Sequence, residues 1–515
     1  MSVKSAISGA ARAVGVFAPG HLGELSRVIP HELVDAVLAE CGCRDRRLRV
    51  LPVRVGVYFV LALCLFPEVG YLQVWMKMAG GVAGAAAPTA KALRDVRRRV
   101  GAAPLKALFE VLAGPVAWPR TPGVSYRGYR TVSFDGCSSQ KAADSARNRA
   151  WLGEHATAGY PMLMLMTLVE TGTRALIGAV FGSRETGETA YAARLLHLLR
   201  PDMLVLWDRG FDGNRFLAEV DATGAKVLGR MRSHRRPAIL TRIGDGSYLS
   251  RLGRVPVRVI DARVALSLAD GSSLTGHYLL VTTLTDHRAH PAADLITLYH
   301  ERWEHESAYY ALCHTLIADH VLRSGDPAGL EQELWALLCV YQALRTVMAD
   351  AAQSTGGIDP DRVCFTTTYQ AARDQLIRAA IDGDTITAKI LDTLLPARRA
   401  RLSSRKVKSS NCPYQAIPRD GRPAAGVAVT ALTIRIQPPP PAPAHYGEPH
   451  TPGTGLINRV LDLMRTHPDR HWHAQQIAEL IGHPNLTSLR VQLSKHAQNA
   501  TLRKTAPATY TLNPT

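Results

Sequence analysis

Residues 1–125 read mostly as helix, from apolar positions that repeat at helical spacing. In HELVDAVLAECG, Leu33, Val34, Val37 and Leu38 share one face, which predicts an amphipathic helix. The run VGVYFVLALCLFP, from Val55 to Pro67, holds no charge and predicts a second, buried helix. A membrane span needs about 20 such residues, so this run is too short for one. The stretch KALRDVRRRVGAAPLKALF then sets Lys91, Arg94, Arg97, Arg98, Arg99 and Lys106 against the single acid Asp95. Such a run reads either as a solvated helix face or as a face that meets phosphates.

Beyond residue 126 the period changes. RTVSFDG is a short apolar run ending in Asp-Gly. MLMLMTLVE and RALIGAVFG are strand-length runs parted by TGT, a hairpin signal. ETAYAARLLHLL has a helical period, MLVLWDRGF is a strand run ending on charge, NRFLAEVDATG is a helix closed by glycine, and AKVLGRMR is another strand. The order β-β-β-α-β-α-β predicts an α/β arrangement. Residues 232–288 are rich in Val, Ile, Thr and Gly and read as antiparallel hairpins, and a long helical stretch covers 292–355.

Residues 396–453 break the pattern. RRARLSSRKVKSS is basic and polar, and IQPPPPAPAHYGEPHTPG, from Ile436 to Gly453, is a polyproline-type stretch, so the whole is expected to be a linker without a core. In residues 454–515, LINRVLDLMRTHP, HAQQIAELIG and LTSLRVQLSKHAQ predict three helices, HPN a turn, and LRKTAPATYTL a two-stranded wing. This is a winged helix-turn-helix pattern, whose second motif helix enters a major groove. Leu486, Leu489 and Leu493 are expected to face inward. That helix carries Arg490, Lys495 and His496 and no acid, which makes Arg490 and Lys495 candidate DNA contacts. A three-helix cap without a DNA role is the alternative.

Lys plus Arg number 61 against 43 Asp plus Glu, a net charge of +18 over 515 residues. With 46% hydrophobic and 20% charged residues the chain can bury real cores, which excludes wholesale disorder. The excess of Arg over Lys favours phosphate partners, and a GC-rich coding sequence would produce the same excess. The 8 Cys include no C-x-x-C pair, so neither a zinc ribbon nor a disulfide framework is indicated and a reducing compartment is expected.

Three acids stand out by position. Asp135 ends the first strand run, Asp208 comes directly after MLVLW, and Glu306 sits in YHERWEHESAYYALCHTL. Singly they read as a turn residue, a helix cap and a surface ion pair. On a helix projected from Tyr299, Arg302 falls at about 300°, Glu306 at about 340° and Cys313 at about 320°, while Glu301 and Glu304 point away. That stripe selects Glu306 as the acid sharing a face with Tyr299 and Arg302. Three convergent carboxylates suit Mg²⁺, and two such ions can clamp the attacking and leaving oxygens of a phosphoryl transfer.

The block Tyr299-His-Glu-Arg302-Trp-Glu-His-Glu306 resembles the Y-(2)-R-(3)-E-(6)-K signature of insertion-sequence-4 family DDE transposases, and Asp135 in SFDG and Asp208 in WDRGF match that family's first two acids. DSARNRAWLG and GSRETGETAYAARLL also look like its catalytic domain. The resemblance covers residues 126–350, and more weakly 21–125. It implies a multidomain α/β protein: an N-terminal helical, end-binding domain over 1–125, and an RNase H-like catalytic domain over 126–395 with a β-rich insertion at 209–298. The linker over 396–453 and the winged helix-turn-helix domain over 454–515 complete the chain.

The resemblance further implies that Asp135, Asp208 and Glu306 are catalytic and hold two Mg²⁺ ions, with Mn²⁺ as a substitute. Tyr299 and Arg302 would hold terminal phosphates. The implied partners are double-stranded DNA, as inverted-repeat ends and target, and a second copy of the chain in a homodimer. Cleavage and strand transfer would run by cut-and-paste through a hairpin, which needs a pocket for a flipped base, and Phe211, Phe216, Tyr248 and Tyr278 are the available aromatics. No membrane role is expected, and the implied location is a bacterial cytoplasm. One position departs: the signature Lys falls at Cys313. A catalytically silent DNA-binding protein and a nuclease that does not join are the rival readings.

Overall fold

A computed structural model describes residues 22–47, 49, 51–79, 87–153, 159–269, 271, 273–378, 385–397, 429–439, 456–468, 470–483, 486–499 and 501–513. The chain divides into two units, 1–439 and 440–515.

The first unit is built on a sheet that begins as an antiparallel meander. Strand β1 (Ser125–Tyr126) folds back on β2 (Tyr129–Lys141), which pairs with β3 (Met162–Glu170), which pairs with β4 (Leu176–Ser183). Then β5 (Met203–Trp207) returns on the other side of β2, parallel to it, and β6 (Lys226–Arg230) lies parallel to β5. The expected strand and helix order holds here, with Asn214–Asp221 as the helix between β5 and β6. Side chains alternate across β5: Leu204 and Leu206 join one buried cluster, Val205 and Trp207 another on the opposite face.

Within 209–298, where the sequence reads as β-rich, residues 209–230 form the turn Arg209–Phe211, the helix Asn214–Asp221 and β6 rather than hairpins. Strands β7 (Thr241–Arg242), β8 (Tyr248–Leu252), β9 (Val255–Leu268) and β10 (Ser273–Thr282) extend that sheet in the order β6-β10-β9-β8-β7. The pairing Leu280↔Arg230 covers the edge that β6 would otherwise expose.

The segment expected to be a linker is partly a strand. Val429–Ile436 forms β11, antiparallel to β9. Leu432, Ile434 and Ile436 alternate and pack on the apolar cluster around Leu280 and Ile296. The basic stretch 398–410 and most of the proline-rich stretch, 440–453, lie outside the described residues, as do residues 1–21.

The helices His31–Glu40, Val53–Leu65, Tyr71–Ala79, Ala90–Val100 and Ala103–Leu112 form where the sequence places helical periods. They share a single core with the helix Pro327–Ser354 and with Leu163, Leu165 and Val169 of β3. The boundary expected at residue 125 therefore separates no independent cores. The reason is the long helix: Leu334 through Leu344 are buried without interruption, so it needs partners on every side.

The second unit holds the helices Leu456–Arg465, Ala474–Leu480 and Leu486–Gln498 and a small sheet, β12 (Trp472–His473), β14 (Thr509–Leu512) and β13 (Leu502–Ala506), in that spatial order. Val460, Met464, Trp472, Ile477, Leu489, Leu493 and Tyr510 make its core. Leu486 is partly buried against it, and Arg490, Gln492 and Lys495 are exposed, as the helical spacing predicts. The strand β12 is an addition that the sequence pattern missed.

Candidate active site

The two Asp residues meet because their strands are neighbours in register. Ser133 of β2 pairs with Leu206 of β5, and two residues further along each parallel strand stand Asp135 and Asp208. Asp135 does not close its strand: β2 runs on to Lys141. Its Oδ1 accepts from the Gly136 amide at 2.9 Å. Asp208 comes directly after β5 and caps the turn Arg209–Phe211, its Oδ1 accepting from the Gly210 amide at 2.7 Å.

Glu306 comes from the helix Trp303–Tyr310. That helix is fastened to the sheet by two residues that the sequence did not single out. The His305 ring lies between Ser133 Oγ and Thr167 Oγ1, each at 2.7 Å. The Tyr309 hydroxyl donates to the Asp135 carbonyl at 2.7 Å. Their spacing of four residues along a helix was the available signal.

Arg302 joins the acids. Its Nη1 stands 3.6 Å from Asp135 Oδ2, and its Nη2 stands 3.4 Å from Glu306 Oε1. It is buried, and its Nε has no hydrogen-bond partner among the described residues. Tyr299 is buried too, with its hydroxyl donating to the Trp207 carbonyl at 3.2 Å and its ring edge-on to Tyr278. Tyr299 and Arg302 of the stripe thus point into the protein, toward β5 and β2, while Glu306 stays half-exposed beside Arg302. Glu304 points elsewhere, as predicted, into a buried ion-pair group with Arg174 and Asp361.

Burial pushes the Asp135 carboxyl up to about 7, with Asp208 and Glu306 adding to the rise and Arg302 opposing it. Burial raises the Tyr299 phenol to about 12 and lowers His305 to about 3, so that ring is neutral. Burial opposes the Arg302 charge, but the neighbouring acids Asp135, Asp208 and Glu306 more than offset it and keep the guanidinium protonated.

The residues here fit a divalent cation chemically. The donors are hard carboxylate oxygens. Asp135 is desolvated among like charges that a cation would relieve. Gly136 and Gly210 border the site without side chains. Among the described residues no group of three or more His, Cys, Asp or Glu is already gathered at ligating distance. The residues that could hold a cation are Asp135, Asp208 and Glu306.

Cys313 is buried in the large helical core. It stands 3.8 Å from Cys137 Sγ and accepts from the Gln140 amide. It lies in the π-helical turn Ala311–Leu316, which breaks the regular 100° progression assumed for the stripe. The aromatics Phe211, Phe216, Tyr248 and Tyr278 are all buried. In the basic stretch, Arg97 is buried and bonded to Gln332 at 2.6 Å, and Arg99 bonds Asp45 and the Leu51 carbonyl, whereas Lys91, Arg94 and Arg98 are exposed.

Two families of known proteins match the chain. The family described as insertion element 4 transposase N-terminal matches residues 19–110, and the transposase DDE domain matches residues 128–343. The transposase InsG for insertion sequence element IS4, from Escherichia coli strain K12, is 24% identical over 432 residues, covering 78% of this chain and 96% of that protein. The putative transposase InsZ of the same organism is 26% identical over 151 residues, 28% of this chain and 50% of that one. Among solved structures, the piggyBac transposase synaptic complex with hairpin DNA aligns at a TM-score of 0.39 and 8% identity, over 78% of this chain and 89% of that chain.

Proposed function

Because the chain belongs to the insertion-sequence-4 family of transposases, we propose that it binds the inverted-repeat ends of an insertion element as a homodimer. It cuts them and joins them to target DNA by cut-and-paste through a hairpin on the element's end. The observation that carries this reading is that strand register sets Asp135 beside Asp208 while the buried Arg302 links Asp135 to Glu306. The strand order β4-β3-β2-β5-β6, antiparallel through β2 and parallel beyond it, supports an RNase H-like core.

Asp135, Asp208 and Glu306 would hold two Mg²⁺ ions, for which Mn²⁺ could stand in. Bound there, the metal supplies an activated water and stabilises charge on the attacking and leaving oxygens. The chain's own part is placement. Adjacent strands present Asp135 and Asp208 at one level, and His305 and Tyr309 fix the helix that presents Glu306. Arg302 spans Asp135 and Glu306, and Tyr299 braces the end of β5, so both act as positioning residues rather than as phosphate contacts. In the second unit, three helices and the hairpin β13–β14 support a winged helix-turn-helix that offers the exposed Arg490 and Lys495 to DNA. No helix among the described residues is long and apolar enough to cross a membrane.

Asp135→Asn, Asp208→Asn and Glu306→Gln test the reading, with cleavage and strand transfer measured on DNA carrying the inverted-repeat ends. Each variant should lose at least about a thousandfold in cleavage rate while keeping end binding, since metal ligands act on the transition state. Unchanged cleavage in any of them overturns the assignment. Binding without nicking by the natural chain identifies a silent DNA-binding protein, and nicking without joined product identifies a nuclease.

A further inference from the structure

The motif GSRETGETAYAARLL brings a fourth acid to Asp135, Asp208 and Glu306. Glu188 begins the helix Glu188–Ala193, which packs on β2 and on the turn Arg209–Phe211 after Asp208. Its carboxylate lies over the residue next to Asp135: a Cβ on Gly136 would stand 2.9 Å from Glu188 Oε1. It also faces the turn that Asp208 caps. A Cβ on Gly210 would stand 2.9 Å from Asp208 Oδ1 and 3.6 Å from Glu188 Oε2. The Asp208 and Glu188 carboxylates therefore border one small space beside Gly210. Arg302, the cation of the site, bridges Asp135 and Glu306 instead.

We propose that Glu188 is a fourth carboxylate of the cation site, joining Asp135 and Asp208 as the groups that would hold a divalent ion there. The inference rests on the reading of Asp135, Asp208 and Glu306 as cation ligands. Glycine at both positions fits this reading: a side chain at 210 would enter between Asp208 and Glu188, and one at 136 would displace the Glu188 carboxylate.

The test is a Mn²⁺ titration of the full chain without DNA, with free Mn²⁺ read by electron paramagnetic resonance, beside the Mg²⁺ dependence of cleavage. Loss of a group in or next to a metal's ligand set weakens metal affinity by roughly 10–100-fold. Glu188→Gln should therefore need at least about tenfold more Mn²⁺ for half occupancy, and about tenfold more Mg²⁺ for half-maximal cleavage. End binding without metal should stay unchanged. Glu188→Asp, which shortens the same acid, gives a second reading if Glu188→Gln does not fold. Gly136→Ala should reproduce the loss by displacing the Glu188 carboxylate. Mn²⁺ binding that is unchanged or tighter in the folded Glu188 variant overturns the proposal. Asp208→Asn separates the two readings. If it loses Mn²⁺ while Glu188→Gln keeps it, only Glu188 is misassigned. If neither loses it, the three-acid site itself is wrong.

Discussion

At the scale of single residues, position 313 shows how surroundings decide a side chain's meaning. The family signature asks for Lys there, and the stripe would aim it at DNA. The structure instead places Cys313 among Cys137, Gln140 and the helical core, where a thiol behaves as a small apolar group. Cys313→Lys should therefore bring no gain in affinity for DNA ends. It should destabilise the fold by about 1–3 kcal/mol or more, through overpacking and a buried ammonium. Thermal melting beside an end-binding assay checks this, and tighter end binding at unchanged melting temperature would show that the side chain reaches DNA. Taken singly, Asp135, Asp208 and Glu306 read as a turn residue, a helix cap and an ion pair, and only the helical stripe with Tyr299 and Arg302 made Glu306 a candidate. Glu188 was not legible, since an acid in the first turn of an amphipathic helix is ordinary for electrostatic reasons alone.

At the scale of elements, the site depends on how the helix Trp303–Tyr310 and strand β5 are seated. His305 provides a pH-dependent reading of the helix. Its folded value of about 3 lies below the ordinary 6.5, so the unfolded chain binds the proton first as pH falls. The ring's contribution is intact above pH 6.5 and is lost progressively as pH falls toward 3. Between pH 6.5 and 5 the loss should be about 2 kcal/mol, at about 1.4 kcal/mol per unit. Urea unfolding of the natural chain and of His305→Gln across that range should differ by this slope, and parallel curves would mean that the ring is not buried and neutral. Strand β5 depends on its neighbour β6. A methyl at Gly229 would collide with the Trp207 indole, one residue before Asp208. Gly229→Ala should cost about 1–3 kcal/mol in stability and reduce cleavage in the molecules that fold. Gly244→Ala, where a Cβ meets nothing within 4 Å, is the control for both measurements.

At the scale of the whole molecule, the two units set the expected behaviour of a truncation. Removing 440–515 cuts at the boundary between units and leaves β11 in place on β9. The remaining 1–439 should fold, retain metal-dependent nicking and bind DNA more weakly, with a smaller salt dependence as Lys and Arg contacts are lost. Melting and binding measured between about 50 and 200 mM salt would check it, and aggregation of the truncated chain would mean that the last unit is needed by the first. A cut at 395, where the linker was expected to begin, would also remove β11. The sequence by itself determined the local elements: helical and alternating periods mark where apolar faces must be buried, and they placed the N-terminal helices, the strands β2 to β6 and the three last helices. The sequence also named Asp135, Asp208 and Glu306, because the chemistry of a site must be written in residue types. Only the tertiary structure decided the rest, because each remaining feature depends on contacts between residues far apart in the chain. It merged the N-terminal helices with the helix Pro327–Ser354 into one core and turned part of a linker into β11. It drew Tyr299 and Arg302 inward, buried Cys313, and set Glu188 against Asp208. Periodicity reports which face of an element is apolar, but the partner that covers that face is fixed by packing.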